Sequence, residues 1–252
     1  EHRNHLGISI IGDDCWRKLW YSFRWIKLIQ FDPRMRRLFN RGHREEPQLK
    51  SFLNWCGFYH RAINPLTNDY YLASTINGHY GGTPDDVWVY QSEDNRILAE
   101  YKTHNNKQFE KLKAEKVKVA QPKHYAQMCG YGEDFQIKHA LYFAVNKDND
   151  EWYFEWINID WNYGKELNKK AETIIYAKHP PNRISEQPSY WKCKFCDFNG
   201  ICHSQEPVEK NCRSCVHSTP TDKATWTCDK FGVIPKDFVA IGCKEHQSIT
   251  GN

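Results

Sequence analysis

Hydrophobic positions in the first part of the chain recur with the period of a helix. Large apolar side chains stand one to four residues apart at Trp16, Leu19, Trp20 and Phe23. This spacing predicts a helix over residues 13–29, with one of its two leading aspartates at the N-cap. A second helical stretch begins after Asp32-Pro33, and we expect Gly42 and Pro47 to kink or divide it.

From residue 70 onward the pattern changes to short strands that alternate with helices. The strands are predicted at 71–76, 85–90, 96–102, 140–145 and 152–157, and the helices at 107–118, 122–131 and 165–176. Turn-forming residues at 92–95 join the second strand to the third, which predicts a hairpin. Beyond Pro180-Pro181 the chain becomes rich in cysteine and loses regular periodicity.

The composition is that of a folded protein. The 252 residues (29.9 kDa) are 40% hydrophobic and include 10 Trp, 14 Tyr and 13 Phe, which is enough apolar bulk for a core and excludes global disorder. The longest apolar runs, such as 140–145, fall short of the ~18–20 residues that a spanning helix needs, so no membrane partner is expected. The chain shows no secretion leader, and we expect a cytoplasmic protein.

Positive charge is concentrated locally although its total is small. The 35 Lys and Arg exceed the 31 Asp and Glu by four. Basic residues cluster over residues 17–44 and again over 102–123. Such patches are typical of proteins that bind nucleic acid, and two solvated helix faces are the alternative explanation.

Seven of the ten cysteines lie in the last 60 residues, which favours metal binding over scattered core thiols. Disulfides are the less favoured alternative, because they would have to survive a reducing compartment. In a first group, Cys193, Cys196 and Cys202 have the spacing C-x2-C-x5-C and can turn three sulfurs toward one centre. Cys15 is the best candidate for the fourth ligand.

A second cysteine group supplies four thiolates by itself. Cys212, Cys215, Cys228 and Cys243 have the spacing C-x2-C-x12-C-x14-C, which matches a closed tetrahedral zinc site. His217 and His246 are reserve ligands. The two remaining cysteines, Cys56 and Cys129, are expected to be small buried hydrophobic residues.

Carboxylates and a lysine mark the predicted hairpin. In the strand over 96–102, Glu100 and Lys102 share one face, and the hairpin brings Asp85 toward Glu100. Hydrolysis of a phosphodiester needs hard oxygen ligands for Mg²⁺ or Mn²⁺ and a cation near the attacking water. Asp85, Glu100 and the main-chain carbonyl of Tyr101 can supply the oxygens, and Lys102 can orient the water and stabilise developing charge.

Two helices add candidates to this metal site. Glu46 on the early helix can close the site from another direction and is preferred to His43. Gln127 and Tyr131 are four residues apart on a later helix and therefore face the same way. A solvated strand face and a polar helix edge are the alternative explanations for the separate pieces, and their order along the chain favours catalysis.

Together these motifs resemble the PD-(D/E)XK nuclease superfamily and, within it, the RecB-like exonucleases that carry an iron–sulfur cluster. Members include CRISPR-associated RecB-like nucleases, AddB-type helicase-nuclease subunits and related phage enzymes. The resemblance covers residues 8–203 and rests on Gly42-His-Arg-Glu-Glu46, Pro84-Asp85, Glu100-Tyr-Lys102, Gln127-x3-Tyr131, Cys15 and Cys193-x2-Cys196-x5-Cys202.

The resemblance implies a restriction-endonuclease-like α/β fold, a mixed sheet flanked by helices with a cysteine-rich C-terminal region. It implies a nuclease domain over 1–205, closed by a [4Fe–4S] cluster on Cys15, Cys193, Cys196 and Cys202, and leaves a small zinc-binding tail over 206–252. Spacing alone does not distinguish iron–sulfur from zinc at the first group. The Gly42-x3-Glu46 pattern is closer to phage lambda-type exonucleases than to the CRISPR-associated members, which usually have a His there.

The function implied is metal-dependent hydrolysis of DNA, most simply an exonuclease that processes DNA ends in phage or bacterial recombination or replication. DNA is then the partner, and a single-strand annealing or replication protein is a further candidate partner in a bacterial or phage-infected cell. Two alternatives stay open. One is a DNA-binding metalloprotein without catalysis, and the other is a nuclease component of CRISPR spacer acquisition.

Overall fold

The computed structural model describes residues 2–251, without the side chain of Glu93. The chain divides into two compact units. The first, called the cysteine unit, comprises the residues up to 30, residues 74–81 and the residues from 169 onward. The second, called the sheet unit, comprises residues 31–73 and 82–168.

The elements have the following bounds. The helices are α1 (Trp16–Phe23), α2 (Pro33–Trp55), α3 (Asn106–Ala120), α4 (Pro122–Asp134), α5 (Trp161–Tyr176), α6 (Trp191–Lys194) and α7 (Asn199–Ser204). The strands are β1 (Leu6–Gly7), β2 (Phe58–His60), β3 (Ile63–Asn64), β4 (Asp69–Tyr70), β5 (Ala73–Thr75), β6 (Tyr80–Gly82), β7 (Asp86–Tyr90), β8 (Ser92–His104), β9 (His139–Asn146), β10 (Trp152–Asn158), β11 (Ser218–Pro220), β12 (Trp226–Cys228) and β13 (Gly232–Ile234). Short 3-10 turns lie at Ile8–Ile10, Ile76–Gly78 and Lys236–Phe238.

The sheet unit is built on a five-stranded mixed sheet in the order β10-β9-β8-β7-β2. β8 and β9 are parallel, and the other neighbouring pairs are antiparallel. The parallel pair is joined through α3 and α4, because parallel neighbours need a long crossover connection. Helices therefore cover the sheet, and the α/β fold that the sequence implied is confirmed.

The two faces of the sheet bury different residues of β8. On one face, Leu49 and Leu53 of α2 pack against a buried cluster of Trp88, Ile97, Ala99, Tyr101, Leu141, Phe143 and Val145. The opposite face of β8 carries Leu98, Glu100, Lys102 and His104, on the side of α4. This is the alternation that the sequence predicted for β8.

Three predicted boundaries are wrong for identifiable reasons. Helix α1 ends at Phe23 instead of residue 29, because Trp25 adopts a left-handed backbone conformation (φ 52°). Its N-cap is Cys15, while Asp13 Oδ1 accepts a hydrogen bond from Cys15 N (3.0 Å). Helix α2 continues through Gly42 and Pro47 as one helix of 23 residues, so the predicted division is wrong. Leu49 and Leu53 hold it on the sheet beyond the proline.

The cysteine unit is held together by two buried arginines that have no carboxylate partner among the described contacts. Arg24 donates to the carbonyl oxygen of Ser218 (2.8 Å), and Arg213 donates to those of Phe23 (3.1 Å) and Asn4 (2.6 Å). Both guanidinium groups lie over the Trp226 ring, and burial lowers the pKa of Arg24 to about 10 and that of Arg213 to about 9. The segment around the second cysteine group therefore packs with α1.

The cysteine-rich segment contains regular structure that the sequence pattern did not indicate. Strands β11, β12 and β13 form an antiparallel sheet of three residues per strand. The predicted domain boundary at residue 205 stays a prediction, since packing within one compact unit does not show which segment folds alone. No helix of residues 2–251 is long and apolar enough to cross a membrane.

Candidate active site

The β7–β8 hairpin brings Asp85 beside Glu100. Asp86 pairs with Ala99 across the hairpin, so Asp85, one residue before β7, stands at the level of Glu100. Asp85 Oδ2 accepts hydrogen bonds from the Tyr101 amide nitrogen (3.0 Å) and from Lys102 Nζ (3.1 Å). The carboxylate is thereby fixed to β8 by main chain and side chain at once.

The ammonium group of Lys102 collects three oxygen groups around one point. It contacts Asp85 Oδ2 at 3.1 Å and the carbonyl oxygen of Tyr101 at 3.0 Å, and it forms an ion pair with Glu100 Oε1. These are the three groups that the sequence predicted as ligands of Mg²⁺ or Mn²⁺. Because they already converge on a monovalent cation, and because all three are hard oxygen donors, the site fits a divalent cation of that class.

Glu100 is the most deeply buried carboxylate of the group, with 2% of its surface exposed. Burial raises its pKa to about 7, the charge of Lys102 opposes this rise, and the charges of Asp85 and Glu46 add to it. A protonated carboxyl is a poor ligand, so cation binding through Glu100 weakens as the pH falls below about 7.

Lys102 keeps its charge in spite of its surroundings. Burial lowers the pKa of Lys102, but Glu100 and Asp85 raise it by more, and the net direction is upward from the ordinary value. The side chain is therefore an ammonium that donates hydrogen bonds at neutral pH. It cannot serve as a free amine base in this arrangement.

Of the two α4 residues predicted for the site, one contacts Glu100 and the other contacts the segment before Asp85. Gln127 is buried and donates from Nε2 to Glu100 Oε2 (2.8 Å), which orients the carboxylate. The Tyr131 hydroxyl lies against Gly82, where a Cβ atom would come within 2.6 Å of it. Gly82 also has φ 148°, so glycine is required there for two reasons.

Glu46 faces the site from α2, as the sequence predicted. It lies with Lys102 on a cavity of about 30 Å³ whose other lining residues are Gly42, Glu45, Leu49, Tyr101 and Thr103. This volume holds about one water molecule. His43 is largely exposed, with its Nδ1 at 3.4 Å from Glu46 Oε1. The structure therefore places Glu46 at the site and His43 outside it.

Asp86, a buried carboxylate, forms a second polar cluster that sequence reasoning missed. Its carboxylate contacts Lys50 Nζ (2.9 Å) and His60 Nε2 (2.5 Å), and it accepts a hydrogen bond from the Tyr101 hydroxyl (3.3 Å). Lys50 is one helical turn after Glu46. The ion pair of Asp86 with Lys50 thus fixes the part of α2 that carries Glu46. The sequence signal that could have revealed this cluster is the pair of adjacent acids Asp85 and Asp86, which lie on opposite faces of the strand.

A pair of histidines occupies the sheet face next to Lys102. The Tyr142 hydroxyl lies 2.8 Å from His104 Nε2 and 2.8 Å from His124 Nδ1. Burial lowers the pKa of His104, and burial together with the charge of Lys102 lowers that of His124 to about 3. Both imidazoles are therefore neutral at pH 7 and place no additional positive charge beside Lys102.

The first cysteine group is brought together from both ends of the chain. Burial raises the pKa of the Cys193 thiol, and the neighbouring Cys15 and Cys202 thiolates raise it further. Burial and Cys15 likewise raise the pKa of Cys196. Cys193 is therefore near Cys15 and Cys202, and Cys196 is near Cys15, although the group spans more than 180 residues of the sequence.

The other three members of the second cysteine group lie near Cys212. Burial raises the pKa of Cys212, and the thiolates of Cys243, Cys215 and Cys228 add to this rise. His246 lies outside this set and hydrogen-bonds to Ser214 Oγ (3.0 Å).

The described cysteines are all free thiols. Across residues 2–251, no three His, Cys, Asp or Glu side chains lie close enough together to hold a metal ion. The mutual influence of the thiols shows proximity, and it does not show coordination. Of the two cysteines outside the groups, Cys129 is buried as expected, whereas Cys56 is exposed. That expectation is wrong for Cys56 because it caps the C-terminal end of α2 at the surface.

Solved structures share this architecture. The alkaline exonuclease LHK-Exo from Laribacter hongkongensis superposes with a TM-score of 0.50 at 14% identity, over 69% of this chain and 87% of that one. The complex of LHK-Exo with dAMP gives a TM-score of 0.50 at 16% identity, over 68% and 86%. The chain has the fold of LHK-Exo. No protein-family model and no curated protein sequence matches the chain.

Replacement of Asp86 tests whether the second cluster positions α2. We expect Asp86→Asn to lower the free energy of unfolding by about 1–3 kcal/mol, because Lys50 and His60 lose their charged partner. We also expect weaker Mn²⁺ binding in calorimetry, because Glu46 is held less firmly. The exposed Asp150→Asn serves as the matched control, and equal stability of the two variants would contradict the positioning role.

Proposed function

We propose that the protein is a divalent-metal-dependent deoxyribonuclease that hydrolyses DNA from its ends. The observation that supports this most directly is the convergence of Asp85, Glu100 and the Tyr101 carbonyl on one cation, the Lys102 ammonium. These three groups would hold Mg²⁺ or Mn²⁺, and Glu46 would complete the site from α2. The fold shared with an alkaline exonuclease is consistent with membership of the PD-(D/E)XK nuclease superfamily.

Each residue of the candidate site has a role in this proposal. When bound, the metal ion polarises the attacking water and neutralises charge on the scissile phosphate. Lys102 remains protonated and donates hydrogen bonds to that water and to a phosphate oxygen. Gln127 holds Glu100 in its ligand orientation through Glu100 Oε2, so that Oε1 stays directed at the cation. Tyr131 packs on Gly82, three residues before Asp85, and would support the segment that leads into the hairpin.

The exonuclease assignment and its setting are part of the proposal. LHK-Exo, whose fold the chain shares, has been solved with dAMP, a deoxynucleoside monophosphate. Release of such monophosphates from DNA ends suits recombination or replication in a bacterial or phage-infected cytoplasm. DNA is then the partner, and a single-strand annealing or replication protein is a second one.

The cysteine groups belong to the same proposal. We assign a [4Fe–4S] cluster to Cys15, Cys193, Cys196 and Cys202, and zinc to Cys212, Cys215, Cys228 and Cys243. The interaction of thiols within each set supports the two groupings. A cluster on the first set would join the N-terminal segment to the segment around residue 200 within the cysteine unit, which gives it a structural role.

Replacement of Lys102 tests the catalytic proposal. We expect Lys102→Ala to lower the release of acid-soluble nucleotides from linear duplex DNA by about 10²–10⁴-fold in Mg²⁺ or Mn²⁺. The exposed Lys165→Ala is the matched control and should cleave like the wild type. Covalently closed circular DNA should resist the wild type, because it has no ends.

Two outcomes would contradict the catalytic proposal. Undiminished cleavage by Lys102→Ala would remove the proposed site. Binding of DNA without cleavage by the wild type, under every divalent cation supplied, would instead favour a DNA-binding metalloprotein.

Metal analysis of anaerobically purified protein tests the cysteine assignments. We expect a brown protein with about four iron atoms and about one zinc per chain. Cys193→Ser should lose iron and keep zinc, Cys228→Ser should lose zinc and keep iron, and Cys56→Ser should keep both. A colourless sample with two zinc ions per chain would contradict the iron–sulfur assignment.

A further inference from the structure

The sheet unit carries a large exposed group of aromatic side chains, here called the aromatic patch. It consists of Phe52, Trp55, Phe58, Tyr90, Trp152, Phe154 and Trp156. Trp55 is 87% exposed and Trp156 is 57% exposed, although tryptophan is among the most costly side chains to leave in water. Exposed aromatic surface of this extent indicates a binding surface.

Strand β10 supplies three of the seven rings through its alternation. Trp152, Phe154 and Trp156 lie on one face, while Glu155 points the other way and accepts a hydrogen bond from the Val117 amide (2.9 Å). The Phe52 ring of α2 lies 5.0 Å from that of Trp152 and 5.7 Å from that of Phe154. The rings are therefore held in place by α2 and the sheet.

Two further rings come from the opposite side of the sheet, Phe58 from β2 and Tyr90 from β7, and Trp55 is the last residue of α2. Phe58 of β2 packs on Tyr90 with ring centroids 4.7 Å apart, and it stacks on Trp156 of β10 with centroids 6.2 Å apart. Because β2 and β10 are the two edge strands, this contact shows that the sheet curls under the end of α2. The ring contacts thus form two groups, Phe52 with Trp152 and Phe154, and Phe58 with Tyr90 and Trp156, which β10 joins.

The patch lies on the α2 face of the sheet, opposite to the face that carries Glu100 and Lys102. Across the sheet, Tyr101 is in register with Phe143, which is in register with Phe154. Phe154 is therefore two strand spacings, about 10 Å, from the strand that carries Glu100 and Lys102.

An arginine stripe on the outer face of α2 leads to the same patch. Arg37, Arg44 and Trp55 follow one another after seven and eleven residues, close to two and three helical turns, so they share one face. In the described part of the chain, the ion pairs of α2 engage Arg41, His43 and Lys50. Arg37 and Arg44 are exposed and are not paired with a carboxylate there.

We propose that the aromatic patch and the arginine stripe bind an unpaired strand of DNA, with its bases stacked on Trp55 and Trp156 and its phosphates along Arg37 and Arg44. Unpaired bases offer free ring faces to aromatic side chains, whereas bases in a duplex are already stacked. The arginine stripe favours a polyanion over an apolar protein surface. This inference rests on the proposed function for the nature of the polymer.

Binding of a labelled oligothymidylate of about twelve nucleotides, followed by fluorescence anisotropy in EDTA, tests the proposal. We expect Trp55→Ala and Trp156→Ala each to weaken binding about tenfold, and Trp55→Tyr to retain most of the affinity. Tyr70→Ala, which removes an exposed aromatic ring (68% exposed) of the same unit outside the patch, is the matched control. It should bind like the wild type.

The arginine stripe has a separate signature. The double variant Arg37→Ala, Arg44→Ala should lower the slope of log affinity against log salt concentration by about 1.4, because each lost phosphate contact removes about 0.7. The two tryptophan variants should leave this slope unchanged. A slope unaffected by the arginine variant would contradict the phosphate track.

The remaining outcomes separate the alternatives. Unchanged oligothymidylate binding in both Trp→Ala variants would overturn the proposal. Loss of self-association in sedimentation velocity, with unchanged DNA affinity, would identify the patch as an interface between two copies and would also overturn it. The binding assay in EDTA does not depend on cleavage, which needs a metal ion. A wild type that binds the oligonucleotide in EDTA, but never cleaves DNA when divalent cations are supplied, would therefore refute the proposed function and leave this surface intact.

Discussion

A buried cluster of opposite charges determines the geometry of the candidate site. Glu100 is almost fully buried and is close to two other carboxylates, Asp85 and Glu46, so its ionised form is costly without a cation. In the present state the Lys102 ammonium provides that cation and gathers Asp85, Glu100 and the Tyr101 carbonyl around itself. In the proposed function, the same negative charge that holds Lys102 in place would attract a divalent ion to the three oxygen groups.

The surrounding fold restrains each partner of this cluster. The hairpin fixes Asp85 through a main-chain hydrogen bond from Tyr101, and α4 fixes Glu100 through Gln127. On the other sheet face, the ion pair of Asp86 with Lys50 secures α2 one turn from Glu46. Neutral histidines beside Tyr142 add no charge to the neighbourhood of Lys102. Buried polar contacts on both sides of β8 therefore preorganise the site.

The site and the aromatic patch lie on one unit and share α2 and the central strands. Glu46 faces inward on α2, while Arg44 and Trp55 face outward. A single helix can thus contribute to metal binding and to the capture of an unpaired strand. The cysteine unit has a separate organisation, in which two buried arginines hold together segments that are distant in sequence.

The sequence predicted local features better than features that depend on tertiary packing. Alternation along β8 predicted that Glu100 and Lys102 share a face, because that property follows from the strand period alone. The continuity of α2 through Pro47 was not predictable from local propensity, since it depends on packing of Leu49 and Leu53 on the sheet.

Other features were missed because no local pattern encodes them. The role of Asp86 depends on Lys50 and His60, which become its neighbours only after folding. The aromatic patch depends on curling of the sheet, which brings Phe58 to Trp156. Strands β11–β13 have three residues each and are too short to show periodicity.

The most direct test of the central claim is anomalous diffraction from crystals of the protein grown with Mn²⁺. The account predicts a manganese peak within about 2.5 Å of carboxylate oxygens of Asp85 and Glu100 and of the Tyr101 carbonyl oxygen, with the Lys102 ammonium moved away from them. A map with no manganese at this position, and with Lys102 still bound to all three groups at a saturating Mn²⁺ concentration and a pH above 7, would contradict it.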